Sequence, residues 1–320
     1  MTPKSLLQVL EQTSLRPLSL SSWDKENVRC NQQTVNLNQS DILMIDVSSI
    51  AYHLYFKHCT TVTTSELKEL IPILLFKRII HLASTFKTGN VLILWDSKTN
   101  DRKDMLPTYK GQRLVYKTEA EIARLMIMKK AIRSFRKRWA KRIWPNNIVQ
   151  KGKECDDLMA MLSRTIVIKR PRKIVMAVND GDIYQLLSDT VNVYALNMDT
   201  LIGPSDFREK FGYSHKHVPT AKAICGCHSD NVKGVGGVAE KTFLKLLNGC
   251  GKTLKTVIDR WKIVTHNMKL VALPLDGTRV PMIKPFGMDM KVYREFCKEN
   301  GLIAFEEKEK HYGKLFNRGK

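Results

Sequence analysis

The chain has 320 residues, 43% of them hydrophobic, with 53 Lys and Arg against 31 Asp and Glu and a formal net charge of +22. That composition supplies a core for one large α/β unit or two smaller domains without disulfide staples, and the excess of cations points to a polyanion, nucleic acid first and an anionic membrane surface second. It excludes a membrane span, since no stretch approaches roughly 18 uninterrupted apolar residues, and the absence of a secretory pattern together with seven unframed cysteines suits a reducing cytosol.

Residues 1–40 are rich in Ser, Thr, Gln and Asn and, apart from a short helix over 5–12, read as a polar arm. Asp41-Ile42-Leu43-Met44-Ile45-Asp46 reads as a buried strand ended by an acid, with Ser48 as the cap of a helix over 49–57. An Asp in that place serves equally well as a helix cap. Residues 65–86 read as a helix kinked or broken at Pro72, and 90–95 as a second buried strand ended by Asp96. The segment 101–113, punctuated by Pro107 and Gly111, presents Arg102, Lys110 and Arg113 for phosphates and Tyr109 for stacking on a base; solvated loop charges are the plainer reading.

Residues 119–143 carry an apolar stripe at helical spacing, Leu125, Met128, Ile132, Phe135, Trp139 and Ile143, surrounded by Lys130, Arg133, Lys137 and Lys141. No Asp or Glu occurs from Ala123 to Lys153, so this helix lacks the usual charge compensation and is costly unless a polyanion answers it. A lipid surface would answer it as well as DNA. Lys153-Glu154-Cys155-Asp156-Asp157 then places three carboxylates within four residues at the start of a helix over 156–169. Acids in a first turn also stabilise the helix dipole, by roughly 0.3 to 1 kcal/mol each.

Residues 172–178 form a third strand, ending in Asn179-Asp180-Gly181-Asp182, a turn signal in itself. A helical turn over 183–187 and a strand over 191–196 follow. Acids recurring at the ends of several strands converge on one pocket in an open α/β sheet, where divalent cations relieve their repulsion. Beyond residue 203 the pattern changes to short helices over 205–211, 218–225 and 240–247. Between the last two, the glycine-rich stretch 226–242 leaves backbone N–H groups free to approach phosphate around Lys233, Gly234, Gly236, Gly237, Lys241 and Thr242. A plain turn between helices would not require four glycines so close together.

Taken in order, these motifs resemble the 5'-nuclease superfamily of flap endonucleases and 5'-3' exonucleases, in the form encoded by phages or fused to bacterial DNA polymerase I. The resemblance rests on Asp46; on Asp96 with Arg102 and Tyr109-Lys110-Gly111-Gln112-Arg113; on Glu154-Cys155-Asp156-Asp157; on Asp180-Gly181-Asp182; and on Gly226-Cys227-His228-Ser229-Asp230-Asn231. It implies a PIN-like α/β fold, a mixed and largely parallel sheet flanked by helices over 41–202 with a helical arch near 102–143. A helical helix-hairpin-helix DNA-binding region over 203–305 and a basic tail over 306–320 would follow.

The resemblance further implies phosphodiester hydrolysis with two divalent cations, Mg²⁺ or Mn²⁺, about 3.5 to 4 Å apart, leaving 5'-phosphates. Asp46, Asp96, Glu154 and Asp156 would serve mainly the first ion, and Asp157, Asp180, Asp182 and Asp230 mainly the second. Lys110 and Arg113 would contact the scissile phosphate, and a monovalent cation such as K⁺ would sit at the helix-hairpin-helix. The implied substrate is DNA with a free 5' end, flap or nick, or an RNA–DNA hybrid, met by a monomer in replication or repair alongside replication proteins. The implied compartment is the bacterial cytoplasm, of a phage-infected cell in the phage case. With no polymerase domain following, it is expected to act as a separate protein and away from membranes.

One position departs from the pattern: Cys227 stands where the family has Asp, while Cys155 replaces a small Ala and Lys233 a Pro. A thiol is a poor ligand for a hard ion, so the second ion is expected to bind weakly, with activity needing more Mg²⁺ or preferring Mn²⁺. A zinc site from Cys225, Cys227 and His228 is geometrically awkward. Two other readings stand beside the nuclease: a DNA-binding relative that has lost cleavage, for which Cys227 is the support, and a PIN-type ribonuclease, disfavoured because those lack the glycine-rich hairpin.

Overall fold

A computed structural model describes residues 41–115, 117–169, 173–247 and 251–317. The expected polar arm over 1–40 and the last residues of the basic tail lie outside the described residues. Among the described residues, no helix is long and apolar enough to cross a membrane.

Six strands form one sheet in the order β3-β2-β1-β4-β5-β6. They are β1 (Ile42–Asp46), β2 (Val91–Leu94), β3 (Asn147–Ile148), β4 (Ile174–Val178), β5 (Val191–Ala195) and β6 (Thr200–Ile202). All neighbours pair parallel except β5 and β6, so the sheet is mixed and largely parallel, as the family resemblance implies. The continuous apolar runs of β1, β2 and β4 are buried along their whole length, as strands covered on both faces require. Their side chains alternate between two cores. Ile42, Met44, Leu92, Leu94 and Met176 face one side, and Leu43, Ile45, Ile93 and Val175 face the other.

On the second side lie α1 (Val47–His58), α2 (Thr64–Thr85) and α3 (Glu119–Phe135). Of the two caps read from the sequence, Asp46 and not Ser48 caps α1: its side chain accepts from Ser49 N at the point where the strand turns into the helix. Helix α2 starts from a Thr63/Glu66 capping box and runs on through Pro72 without ending, its buried Leu67, Ile71, Leu75, Phe76 and Ile79 holding both halves on the sheet.

The expected arch over about 102–143 is three pieces: a one-turn helix Arg102–Met105, a tight turn Gly111–Leu114, and α3 packed along α2. The apolar stripe explains this packing. Leu125, Met128, Phe135, Trp139 and Ile143 are buried, with Ala131 taking the place expected of Ile132. A wider π turn over Arg136–Ala140 carries the stripe onward.

The first side is covered by α4 (Cys155–Lys169) and by helices of the C-terminal region: α5 (Pro204–Phe211), α6 (Val218–Cys225), α7 (Glu240–Leu247), α8 (Gly251–Asp259) and α9 (Trp261–Val271). Helix α10 (Met290–Glu299) returns to the other side, where Tyr293 and Phe296 pack against Phe76 of α2 at centroid distances of 5.5 and 4.4 Å. The tail is helical over Glu309–Phe316. It passes so close to Gly89 that a Cβ there would lie 2.3 Å from the Leu315 carbonyl oxygen.

From β1 the chain steps to β2 and β3 on one side, while β4 and β5 lie on the other. That reversal of strand order opens a crevice at the carboxyl ends of β1 and β4, where ligands bind in such sheets. Asp46 ends β1, Asp96 follows β2 and Asp180 follows β4.

Candidate active site

The crevice is an open cleft of about 720 Å³ lined by Asp46, Asp96, Glu154, Asp156 and Asp180 together with Lys110 and Arg113. Asp46 is buried; its two oxygens accept from Ser49 N at 3.0 Å and Ser49 Oγ at 2.8 Å. Burial, followed by the charge of Asp96, pushes its carboxyl up to about 7. Asp96 accepts from the backbone N–H of Cys155 at 2.9 Å, at the N-terminus of α4. Asp156 in the next position is buried, and its Oδ1 has no hydrogen-bond partner among the described residues. Burial, then Asp180 and Asp46, hold its carboxyl well above the usual range. Asp180 turns its side chain back to accept from Asp182 N at 2.9 Å.

Buried carboxylates that repel one another, one with an orphaned oxygen, are costly unless a cation joins them. Oxygen donors from four chain segments fit a hard divalent ion. The acids line a wall rather than a closed cage: among the described residues no three His, Cys, Asp or Glu side chains are gathered into a ready-made ion site. The same holds for Cys225, Cys227 and His228, so the zinc arrangement is not formed.

Glu154 occupies the same wall in a different condition. It accepts from Tyr109 Oη at 3.0 Å and Arg102 Nη1 at 3.2 Å and pairs with Lys110 Nζ. Lys110 adopts φ of 55°, a left-handed conformation at the tight turn that brings its ammonium into the cleft. This turn is buttoned onto the glycine-rich motif: Lys110 N donates to Asp230 O at 3.0 Å, Arg113 Nε to Ser229 O at 3.2 Å, and Asn231 Nδ2 to Thr108 O at 3.1 Å.

The expected roles change at five residues, Asp157, Arg102, Tyr109, Asp182 and Asp230. Asp157, predicted to hold an ion, has no exposed surface and is fully engaged. Arg102 Nη1 and Nη2 donate to its two oxygens at 2.7 and 2.8 Å, Glu154 N at 3.0 Å and Leu275 N at 2.8 Å. Burial alone would raise its carboxyl, but the Arg102 guanidinium holds it below the usual range. Arg102 is therefore not a phosphate contact. It is buried, gives its Nε to Leu270 O at 2.8 Å, and ties α4 to the end of α9.

Tyr109 does not stack on a base. Its ring is in the core and its hydroxyl lies 3.0 Å from Glu154 and 3.2 Å from Asp230, its one proton serving either carboxylate. Asp182 and Asp230, expected at the second ion, are paired within the chain, Asp182 with Lys222 and Asp230 with Arg113 Nη2 at 2.8 Å. Cys227 is buried with its Sγ 3.2 Å from Ser229 Oγ and does not line the cleft.

Two further sets of basic residues lie outside the lining of the cleft. Lys130, Arg133, Lys137 and Lys141 are exposed along one face of α3 and its continuation, without acidic partners among the described residues, whereas Arg138 and Arg142 pair with Glu299 and Glu295. In the glycine-rich stretch a small ladder pairs β7 (Gly226–Cys227) with β8 (Val232–Lys233). Gly234 backs onto Cys225 so closely that a Cβ would lie 2.2 Å from its carbonyl carbon. Asn267 pins this hairpin, donating to Ala223 O and Lys233 O at 2.9 and 2.8 Å. Lys233, Gly236, Gly237 and Lys241 are exposed and Thr242 is half-buried.

Two features escape the sequence reading. Tyr52, His53 and Phe56 of α1 also line the cleft, with Phe56 exposed and its ring 6.4 Å from that of Tyr52. The i, i+4 spacing of Tyr52 and Phe56 after a strand-end acid was the available signal. Lys222 had none, since a single lysine in an apolar helix is ordinary.

A family described as the 5'-3' exonuclease N-terminal resolvase-like domain matches residues 41–212. The chain is 28% identical over 286 residues to the thermostable DNA polymerase I of Thermus filiformis, covering 86% of this chain and 33% of that protein. It is 25% identical over 289 residues to the 5'-3' exonuclease of Buchnera aphidicola subsp. Acyrthosiphon pisum, covering 85% and 98%. The chain thus spans a third or less of the DNA polymerase I relatives, 33%, 19% and 23% of three of them.

In fold it is similar to the phage T5 5'-exonuclease with bound zinc, with a TM-score of 0.60 at 20% identity over 73% of this chain and 90% of that one. It is also similar to a T5 flap endonuclease in complex with DNA and metal ions, with a TM-score of 0.62 at 20% identity over 73% and 89%. With the family model matching more than half of its length, the chain belongs to the 5'-3' exonuclease N-terminal domain family of the 5'-nuclease superfamily.

Proposed function

We propose that this chain is a metal-dependent 5' nuclease, hydrolysing phosphodiesters of DNA at a free 5' end, flap or nick to leave a 5'-phosphate. One observation carries the reading: Asp46, Asp96, Asp156 and Asp180 face one cleft with no cation among the described residues bonded to any of them, while Lys110 and Arg113 line the same cleft. A site built only for stability would pair these acids, as the chain does with Asp157. Asp46, Asp96, Glu154, Asp156 and Asp180 would hold Mg²⁺ or Mn²⁺. The metal chemistry supplied there is a water made nucleophilic near neutral pH and a Lewis acid for phosphoryl oxygen.

The chain's own groups do the rest. Lys110 and Arg113 present two cations to a phosphate entering the cleft, fixed in place by the buttoned turn, so the charge is preorganised. Tyr52 and Phe56, which line the same cleft, offer a ring face to a nucleobase. The exposed face of α3 and the open N–H groups near Gly236 and Gly237 grip the sugar-phosphate backbone, which carries no sequence information; the enzyme reads structure and not sequence.

The test is cleavage of 5'-labelled flap, nicked and RNA–DNA hybrid duplexes with Mg²⁺ and with EDTA. Labelled 5'-phosphate products that vanish with EDTA support the reading. A flap bound but left uncut at every Mg²⁺ or Mn²⁺ concentration overturns it in favour of a DNA-binding relative.

A further inference from the structure

The acids at the family's two ion positions do not share one condition. Of the four expected at the second ion, Asp157 is locked by Arg102 in a bidentate pair, Asp182 is paired with Lys222, and Asp230 is paired with Arg113. Only Asp180 faces the cleft. The fifth position is Cys227, a thiol turned toward Ser229. A small hard divalent ion such as Mg²⁺ keeps several waters and takes one or two carboxylates for itself, whereas Asp180 already lies against Asp46 and Asp156 of the first set. One free carboxylate and a soft, averted thiol do not fit that requirement.

Lys222 meets this set at the turn after β4. It lies on α6, the helix that ends immediately before Gly226-Cys227, and reaches across to the turn after β4. Its Nζ pairs with Asp182 and lies 4.0 Å from where a Cβ on Gly181 would be, beside the Asp180-Gly181-Asp182 turn. One helix thus supplies a cation to the second-ion acids and, at its end, carries the position that lacks the expected acid.

Resting on the nuclease reading, we propose that the chain works with a single divalent ion, and that the ammonium of Lys222 supplies the positive charge that a second ion would bring to the Asp180–Asp182 turn. Lys222 acts through Asp182 and does not line the cleft, so it is a positioning residue, fixing the turn from which Asp180 points inward. Arg113 covers Asp230 in the same way while remaining at the cleft edge.

Counting bound Mn²⁺ by electron paramagnetic resonance tests this, with the full chain alone and with a 5'-flap duplex carrying a cleavage-resistant phosphorothioate at the junction. Wild type should bind one tight Mn²⁺ in both conditions. Lys222→Met with Cys227→Asp, which removes a cation and restores a carboxylate, should bind two, the second at least about tenfold tighter than any second ion in wild type. Two equally tight ions in wild type overturn the proposal, and that measurement needs no variant to fold. Flap cleavage with two bound ions removes this inference and leaves the nuclease reading. One bound ion without cleavage removes the nuclease reading and leaves the count supported.

Discussion

Replacing Asp46 by Asn separates what this residue does for the fold from what it does in the cleft. Asn caps a helix as well as Asp, so the bond from Ser49 N that starts α1 is kept and Ser49 Oγ can accept from the new amide. What is lost is a buried charge held against Asp96 and Asp180. Burial and the charge of Asp96 push the Asp46 carboxyl up to about 7 from an ordinary 3.8, a cost to the ionised native state on the order of a few kcal/mol and at most about 4, shared with the acids it faces.

A raised acid binds its proton in the native state where the unfolded chain has released it. Stability therefore falls as pH rises from about 4 to about 7 and stays low above that. Asp46→Asn removes the loss. In EDTA, urea denaturation should show no gain at pH 4 or below and a gain on the order of a few kcal/mol, at most about 4, at pH 8, while flap cleavage with Mg²⁺ falls. A variant destabilised at pH 8, or equally affected at both pH values, would refute the claim that these acids are held together against their own repulsion.

Other outcomes follow from the same geometry. Arg102→Met leaves Asp157 buried and unpaired, so unfolding by urea should show a loss of roughly 3 to 5 kcal/mol; a loss under about 1 kcal/mol would return Arg102 to the phosphate-contact role. Lys130→Glu and Lys137→Glu act on the exposed face of α3, away from the cleft. Flap binding should weaken without a change in melting temperature, and the slope of log affinity against log salt should shrink by about 0.9 for each lost phosphate contact. An unchanged slope would place the DNA elsewhere.

The strands and their terminal acids were legible because a buried parallel strand is a continuous apolar run, and its polar residue falls where the chain leaves the sheet. Asp46, Asp96 and Asp180 were found this way, and Asp156 through its place in the first turn of α4. The division of the acids into free and paired was not legible. Asp156 and Asp157 are neighbours in sequence, yet helix geometry turns one toward Asp46 and Asp180 and the other toward Arg102 and Leu275.

Pairings such as Tyr109 with Asp230, or Lys222 with Asp182, join residues 121 and 40 positions apart through tertiary packing that local patterns do not encode. Tyr109 misled for a simple reason. In a segment of charges and turn residues an aromatic reads as exposed, whereas here it is the apolar anchor that seats the turn beneath Lys110 and Arg113.

On the proposed reading Asp156, buried with an unsatisfied oxygen among other acids, would hold the ion that cleavage requires. The direct measurement is the initial rate of Mg²⁺-dependent cleavage of a 5'-labelled flap by wild type and by Asp156→Asn, each checked for folding by thermal melting. The account predicts a variant that melts no lower than wild type in EDTA and cuts at least about a hundredfold more slowly. A folded variant that cuts at the wild-type rate would contradict it.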